Sequence, residues 1–223
     1  MIRREDSNFV YICLAAIFLA ALVTCNLIAN KFVTVDLGFH VFIVSAGILP
    51  YPLTFLVTDI LSEIYGQEKT NRVVKAGFIA SLFVLLFLWL GSQFPSINGS
   101  PVDDSTYNIV FRNAWRVIGA SMIAYLTAQV LDVRVYHFWK RYTNGKHLWL
   151  RNNASTVTSQ LVDTTLVITV LFIGVWPSNQ IVSAIIDGFI FKMLCALIDT
   201  PIIYIATSYL RNCFGLKFGE ELS

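Results

Sequence analysis

Charge is what this chain has least of. Of its 223 residues only 13% are Asp, Glu, Lys or Arg, while 56% are hydrophobic. A soluble domain carries about 25% charged residues. The shortage, with a mean hydropathy of +0.66, excludes a disordered chain and argues against a nucleic-acid binder or an ordinary cytosolic enzyme. A net charge of +2 calls for no polyanionic partner, so no direct nucleic-acid contact is expected. Cysteine is scarce as well. Cys13, Cys25, Cys195 and Cys213 lie in or beside apolar runs, with no CxxC or Cys/His cluster, so neither a disulfide framework nor a metal site is expected. No GxxxxGK[ST] string occurs, so this chain is not expected to hydrolyse ATP. Nothing marks a catalytic residue or a cofactor, and the chain reads as a non-enzyme.

Long apolar runs are what it has in quantity. A helix crossing hydrocarbon needs about 20 mostly apolar residues. Six segments qualify, at about 9–29, 42–64, 74–90, 114–131, 155–175 and 181–210. The expectation is an all-α polytopic membrane protein, a single six-span transmembrane domain over residues 1–223. The first run lacks a convincing cleavage pattern and reads as a retained span, not a removed signal peptide. The second is broken near Pro50-Tyr51-Pro52, either a plain kink or the kind of interruption that transporters use near binding sites.

Lysine and arginine gather on the cytoplasmic side of a membrane. With both termini inside, the cytoplasmic pieces hold Arg3, Arg4, Lys69, Arg72, Lys75, Arg134, Lys140, Arg141, Lys146, Arg151, Arg211 and Lys217, twelve of the 16 cations. The opposite orientation reverses this bias. The topology is therefore read as N-in, C-in, with the twelve cations setting orientation.

A carboxylate at the bilayer centre costs about 2.5–3.5 kcal/mol on insertion scales. It persists where it pairs, titrates or lines a watery cavity. Asp59 and Glu63 are four apart in the second span and share a helix face. Gln129 and Asp132 end the fourth. Gln160 and Asp163 open the fifth, at a depth similar to the others. Lys192 and Asp199 share a face of the sixth, and Asp187 lies nearer its outer end. Four helices are thus expected to bring polar groups to one layer, with Lys192 its comparable intramembrane cation. Carboxylates and amide carbonyls accept hydrogen bonds, so such a pocket suits a ligand rich in N–H donors, or a cation. A closely packed acid cluster cannot stay fully ionised, which offers a route to proton coupling. Plainer alternatives exist. Asp59 and Glu63 could form a polar lock between helices, Gln129 and Asp132 could sit at the interface, and Lys192 and Asp199 could pair with each other. Asn26 and Asn30 could cap or bind at the outer end of the first span. Tyr51 reads as an interfacial anchor.

At these residues the chain resembles the queuosine precursor transporter family, long catalogued as vitamin-uptake proteins. The resemblance rests on Thr58-Asp59-Ile60-Leu61-Ser62-Glu63-Ile64-Tyr65-Gly66, on Gln129-x-x-Asp132, and on Ala154-Ser155 followed by Ser159-Gln160-Leu161-Val162-Asp163-Thr164. It extends from Asn26 through the Lys192…Asp199-Thr200-Pro201 segment. It implies an importer in the bacterial inner membrane, with both termini cytoplasmic and a 7-deazaguanine substrate: the cyano base, the aminomethyl base or queuine. Asp59, Glu63, Gln160 and Asp163 are the main binding candidates. Gln129, Asp132, Lys192 and Asp199 follow, then Asn26 and Asn30. An oligomer is compatible with this reading. The second reading is a substrate-binding subunit of a multi-protein vitamin or nucleobase importer. Only that reading needs an ATPase partner.

Overall fold

The computed structural model describes residues 4–29, 31–38, 40–112, 115–174, 176–217 and 219–222. Six long helices run back and forth: α1 (Arg4–Ile28), α2 (Tyr51–Ile64), α3 (Gly66–Gly91), α5 (Trp115–Tyr142), α6 (Leu148–Phe172) and α7 (Ser178–Phe214). The loop after α3 adds the short α4 (Asp104–Tyr107) and a π turn at Asn108–Arg112. Among the described residues, four segments are long and apolar enough to cross a membrane: Ser7–Ile28, Ala46–Ile64, Gly66–Gly91 and Ser178–Phe214.

The packing is inverted relative to a soluble protein. Thr58, Asp59, Ser62, Glu63, Gln129, Asp132, Arg151, Ser159, Gln160 and Asp163 are buried, whereas Ile79, Leu82, Phe83, Leu86 and Phe87 of α3 and Leu197, Ile198 and Ile205 of α7 are exposed. Exposed apolar area on this scale marks a surface that faces something other than water. With the apolar helices, it identifies a multi-pass membrane protein.

α2 is the central helix. From Thr54 to Ile64 its side chains are nearly all buried, and it packs against α1, α3, α5 and α7. A polar residue survives on such a helix only where neighbours satisfy it, which makes α2 the spine of the site. Its first turn holds Pro52, tolerated there because a first-turn N–H has no intrahelical acceptor.

The region before α2 departs from the expected span. Residues 42–45 are not helical. Val41–Ser45 forms β2, paired antiparallel with β1 (Phe32–Asp36) in the register Phe32↔Ser45 through Asp36↔Val41. Val41-Phe42-Ile43-Val44 is β-branched and aromatic, and a short apolar run does not distinguish strand from helix. The break near Pro50–Pro52 is the start of α2 and falls inside the Ala46–Ile64 membrane-length segment. Between β2 and α2, Ala46–Ile48 makes one 3-10 turn. Ser45 Oγ accepts from Gly47 N at 3.1 Å and donates to Ala29 O at 2.5 Å. A Cβ on Gly47 would stand 2.5 Å from the Cys25 carbonyl oxygen, so only glycine lets this turn press against α1. Gly77 plays the same part between α3 and α1, where a Cβ would meet Phe18 and Leu22 at 2.8 Å.

Candidate functional site

The buried polar groups form three tiers along α2. Tyr51 and Glu63 lie twelve residues apart, about 18 Å along the axis.

The tier at the C-terminal end of α2 is a hub on Glu63, which is fully buried. Arg151 of α6 approaches its Oε1 to 2.5 Å, and Arg211 of α7 pairs with the same oxygen. Tyr136 of α5 donates to Oε2 at 2.9 Å. Lys140 Nζ lies 3.7 Å from Oε2, and it donates to the carbonyls of Ser62 and Glu63 and to Glu221 Oε1 at 2.8 Å. The tail after α7 closes over this tier. Leu222 N donates to Ile64 O at 2.7 Å, and Lys69 Nζ donates to Leu222 O at 3.0 Å. Glu63 therefore ties α2 to α5, α6 and α7. This is the polar lock weighed above as its plainer alternative.

The middle tier holds Asp59 and Asp132, two buried carboxylates on α2 and α5 that act on each other electrostatically. Ser159 Oγ donates to Asp132 Oδ1 at 3.0 Å, and Gln129 Nε2 donates to Thr58 Oγ1 at 2.6 Å. Three buried acceptors here find no donor among the described residues: Asp59 Oδ1, Asp132 Oδ2 and Gln129 Oε1.

The tier nearest the start of α2 surrounds a cleft between three helices. Tyr51, Pro52 and Phe55 come from α2, Thr156 and Gln160 from α6, and Lys192, Cys195, Ala196 and Asp199 from α7. Tyr51 Oη donates to Asp163 Oδ2 at 2.5 Å, and Lys192 Nζ donates to the same oxygen at 2.6 Å. Lys192 Nζ also stands 4.2 Å from the centroid of the Tyr51 ring. The Tyr51 and Phe55 rings are 5.2 Å apart. Gln160 Oε1 is buried without a donor among the described residues. The cleft has room for about one water, with a volume of about 20 Å³.

The structure thus brings Asp59, Glu63, Gln129, Asp132, Gln160, Asp163, Lys192 and Asp199 into one bundle interior, but not into one layer. α6 starts at Leu148, so Asp163 sits fifteen residues in, about 22 Å along the helix. It meets Tyr51, not Glu63. The polar run Arg151-Asn152-Asn153 hid that early start from an apolar-run reading. Lys192 pairs with Asp163 across the α6–α7 interface and not with Asp199, which lies two turns, about 10 Å, along its own helix. Nor is Lys192 the sole cation of the interior, because Lys140, Arg151 and Arg211 are buried. Asn26 stands apart. It donates to Leu22 O within α1 and lines a separate apolar crevice between α1 and α3. Asn30 lies outside the described residues. Asp187 faces His40 at 3.5 Å, at the edge of the hairpin.

Sequence reasoning missed Tyr51 and Phe55 as cleft walls, and Tyr136, Lys140, Arg151 and Arg211 as partners of Glu63. Tyr51 carried one usable signal, its place between two prolines at a helix start.

The cleft offers aromatic faces and hydrogen-bond acceptors, the complement of a flat molecule edged with N–H donors. Known proteins can be set beside that geometry. Residues 45–206, from β2 through most of α7, match the family described as "Putative vitamin uptake transporter". A "Probable queuosine precursor transporter" of Bacillus subtilis (strain 168) is 32% identical over 167 residues, covering 74% of this chain and 72% of that protein. The "Queuosine precursor transporter" of Escherichia coli (strain K12) is 28% identical over 148 residues, covering 64% and 58%. A "Probable queuosine precursor transporter" of Haemophilus influenzae is 26% identical over 140 residues, covering 61% and 54%. This chain therefore spans little more than half the length of the last two. No solved structure matches it. The family match takes in the whole cleft and the Asp59–Asp132 tier, and with the Bacillus relative it assigns this chain to the family of vitamin-uptake and queuosine precursor transporters.

Proposed function

We propose that this protein imports a queuosine precursor, a 7-deazaguanine base, across the bacterial inner membrane, and that the cleft between α2, α6 and α7 is its binding site. The observation that carries the reading is the buried Gln160 Oε1, without a donor among the described residues, beside the Tyr51 and Phe55 rings. A deazaguanine presents ring N–H and amino donors on one edge and a flat aromatic face, which match an acceptor and a ring wall. The names of the relatives support the same substrate class.

In this reading all six long helices span, N-in and C-in. α5 and α6 carry too many polar residues to be recognised by hydropathy because those residues line the interior. The Glu63 hub then lies at the cytoplasmic end and closes it. A two-ring base does not fit a 20 Å³ cleft, so substrate enters only when α2, α6 and α7 move apart, and it leaves when the hub opens. Asp59 and Asp132 carry the coupling proton. Two buried carboxylates set against each other do not both stay ionised, so the pair holds a proton, and the opening of the bundle releases it.

The test is uptake in cells unable to synthesise the precursor. Expression of this chain restores queuosine in tRNA from supplied base, and the transported base is recovered chemically unchanged. Failure to restore it, in cells shown to carry the protein in the membrane, refutes the proposal.

A further inference from the structure

We infer that Asp199 makes the cleft selective for a precursor bearing a protonated amine over the neutral nitrile form of the same base. This rests on the cleft being the binding site.

The cleft is lined by a single lysine, Lys192, and that ammonium is already matched by Asp163 at 2.6 Å and by the Tyr51 ring at 4.2 Å. Asp199 lines the same cleft. It makes no hydrogen bond and no ion pair with any described residue, although its neighbour Thr200 bonds Asn153 and Ala196. The nearest charged side chains of the middle tier, Asp59 and Asp132, are acids too, while Arg151 is held by Glu63. With Lys192 and Asp163 cancelling, the cleft keeps one carboxylate with no counter-ion among the described residues.

A partly desolvated carboxylate without a partner is costly, and the ligand that relieves it is a cation with N–H donors. An alkylamine is protonated at neutral pH, as lysine is, and offers three donors. A nitrile nitrogen only accepts, so beside Asp199 it sets acceptor against acceptor. The two ligands share the flat donor-edged ring and differ only in the group that meets Asp199. Gln160 and the Tyr51 wall therefore bind both, and Asp199 discriminates.

The experiment is competition for uptake between labelled aminomethyl base and unlabelled aminomethyl or cyano base, in cells lacking the biosynthetic route. The wild-type protein prefers the amine by about tenfold or more, the range of a hydrogen bond to a charged group. Asp199→Asn brings the ratio towards one whatever the absolute rate, and Asp199→Glu restores a preference for the amine. A wild-type ratio at or below one overturns the inference without needing a variant, and so does an Asp199→Asn ratio equal to the wild type's. Entry of neither base refutes the import reading itself, a different result from entry of both without preference.

Discussion

Lys192 on α7 and Asp163 on α6 meet at 2.6 Å, with only 13% and 3% of their side chains exposed. The pair clamps two helices that wall the cleft, and Tyr51 joins it from the third. Any motion that opens the cleft between α6 and α7 has to stretch or carry this pair.

Breaking one half of a buried pair leaves a bare charge, at a cost of about 3–5 kcal/mol. Asp163→Asn or Lys192→Met alone is expected to lower the melting temperature in detergent sharply and to abolish uptake. The double variant Asp163→Asn/Lys192→Met regains most of the thermal stability but not the uptake, because two neutral groups are tolerated where one charge is not.

Glu63 is expected to behave as a lock, not as a substrate ligand. Glu63→Gln leaves Arg151 and Arg211 without their shared carboxylate, and the folded protein recovered from membranes falls to a small fraction of wild type. Glu221→Gln touches the same Lys140 from a partly exposed position and costs about 1 kcal/mol or less. Its effect is expected on the ease of cytoplasmic opening, read as faster labelling of a cysteine placed beneath the hub.

Tyr51 separates into ring and hydroxyl. Tyr51→Phe keeps the ring wall and loses the bond to Asp163, while Tyr51→Leu loses both. Stacking of a base on an aromatic ring is worth about 1–3 kcal/mol. Binding measured on purified protein is therefore expected to weaken about tenfold to a hundredfold in Tyr51→Leu, and much less in Tyr51→Phe.

Much of this was legible in the residues. The apolar runs of α1, α3 and α7 announced helices because span length is written in composition. Asp59, Gln160 and Asp163 stood out because acids and amides are expensive inside such runs. What stayed hidden depended on partners. Arg151 and Arg211 sit near helix ends and looked like topology cations, and nothing local says that both reach Glu63. Tyr51 looked like an interfacial anchor because its partners, Asp163 and Lys192, lie more than a hundred residues away. The strand at Val41–Ser45 stayed hidden because a short apolar run suits two structures equally.

Proton coupling gives a signed expectation. If the Asp59–Asp132 contact carries the proton inward with the base, acidifying the outside raises the rate of uptake, and alkaline medium or a protonophore lowers it. Asp59→Asn and Asp132→Asn, which hold the neutral form permanently, are expected to flatten this dependence as well as slow accumulation. An uptake rate indifferent to the proton gradient in the wild-type protein removes proton coupling from the account.

In the proposed function this chain alone moves a 7-deazaguanine base through the α2–α6–α7 cleft. The most direct measurement is accumulation of labelled aminomethyl or cyano base in liposomes holding only the purified protein under an inward proton gradient. Saturable accumulation is expected, sharply reduced by Tyr51→Leu and abolished by Asp163→Asn. No accumulation by the wild type, or accumulation only after an ATPase partner is added, contradicts it.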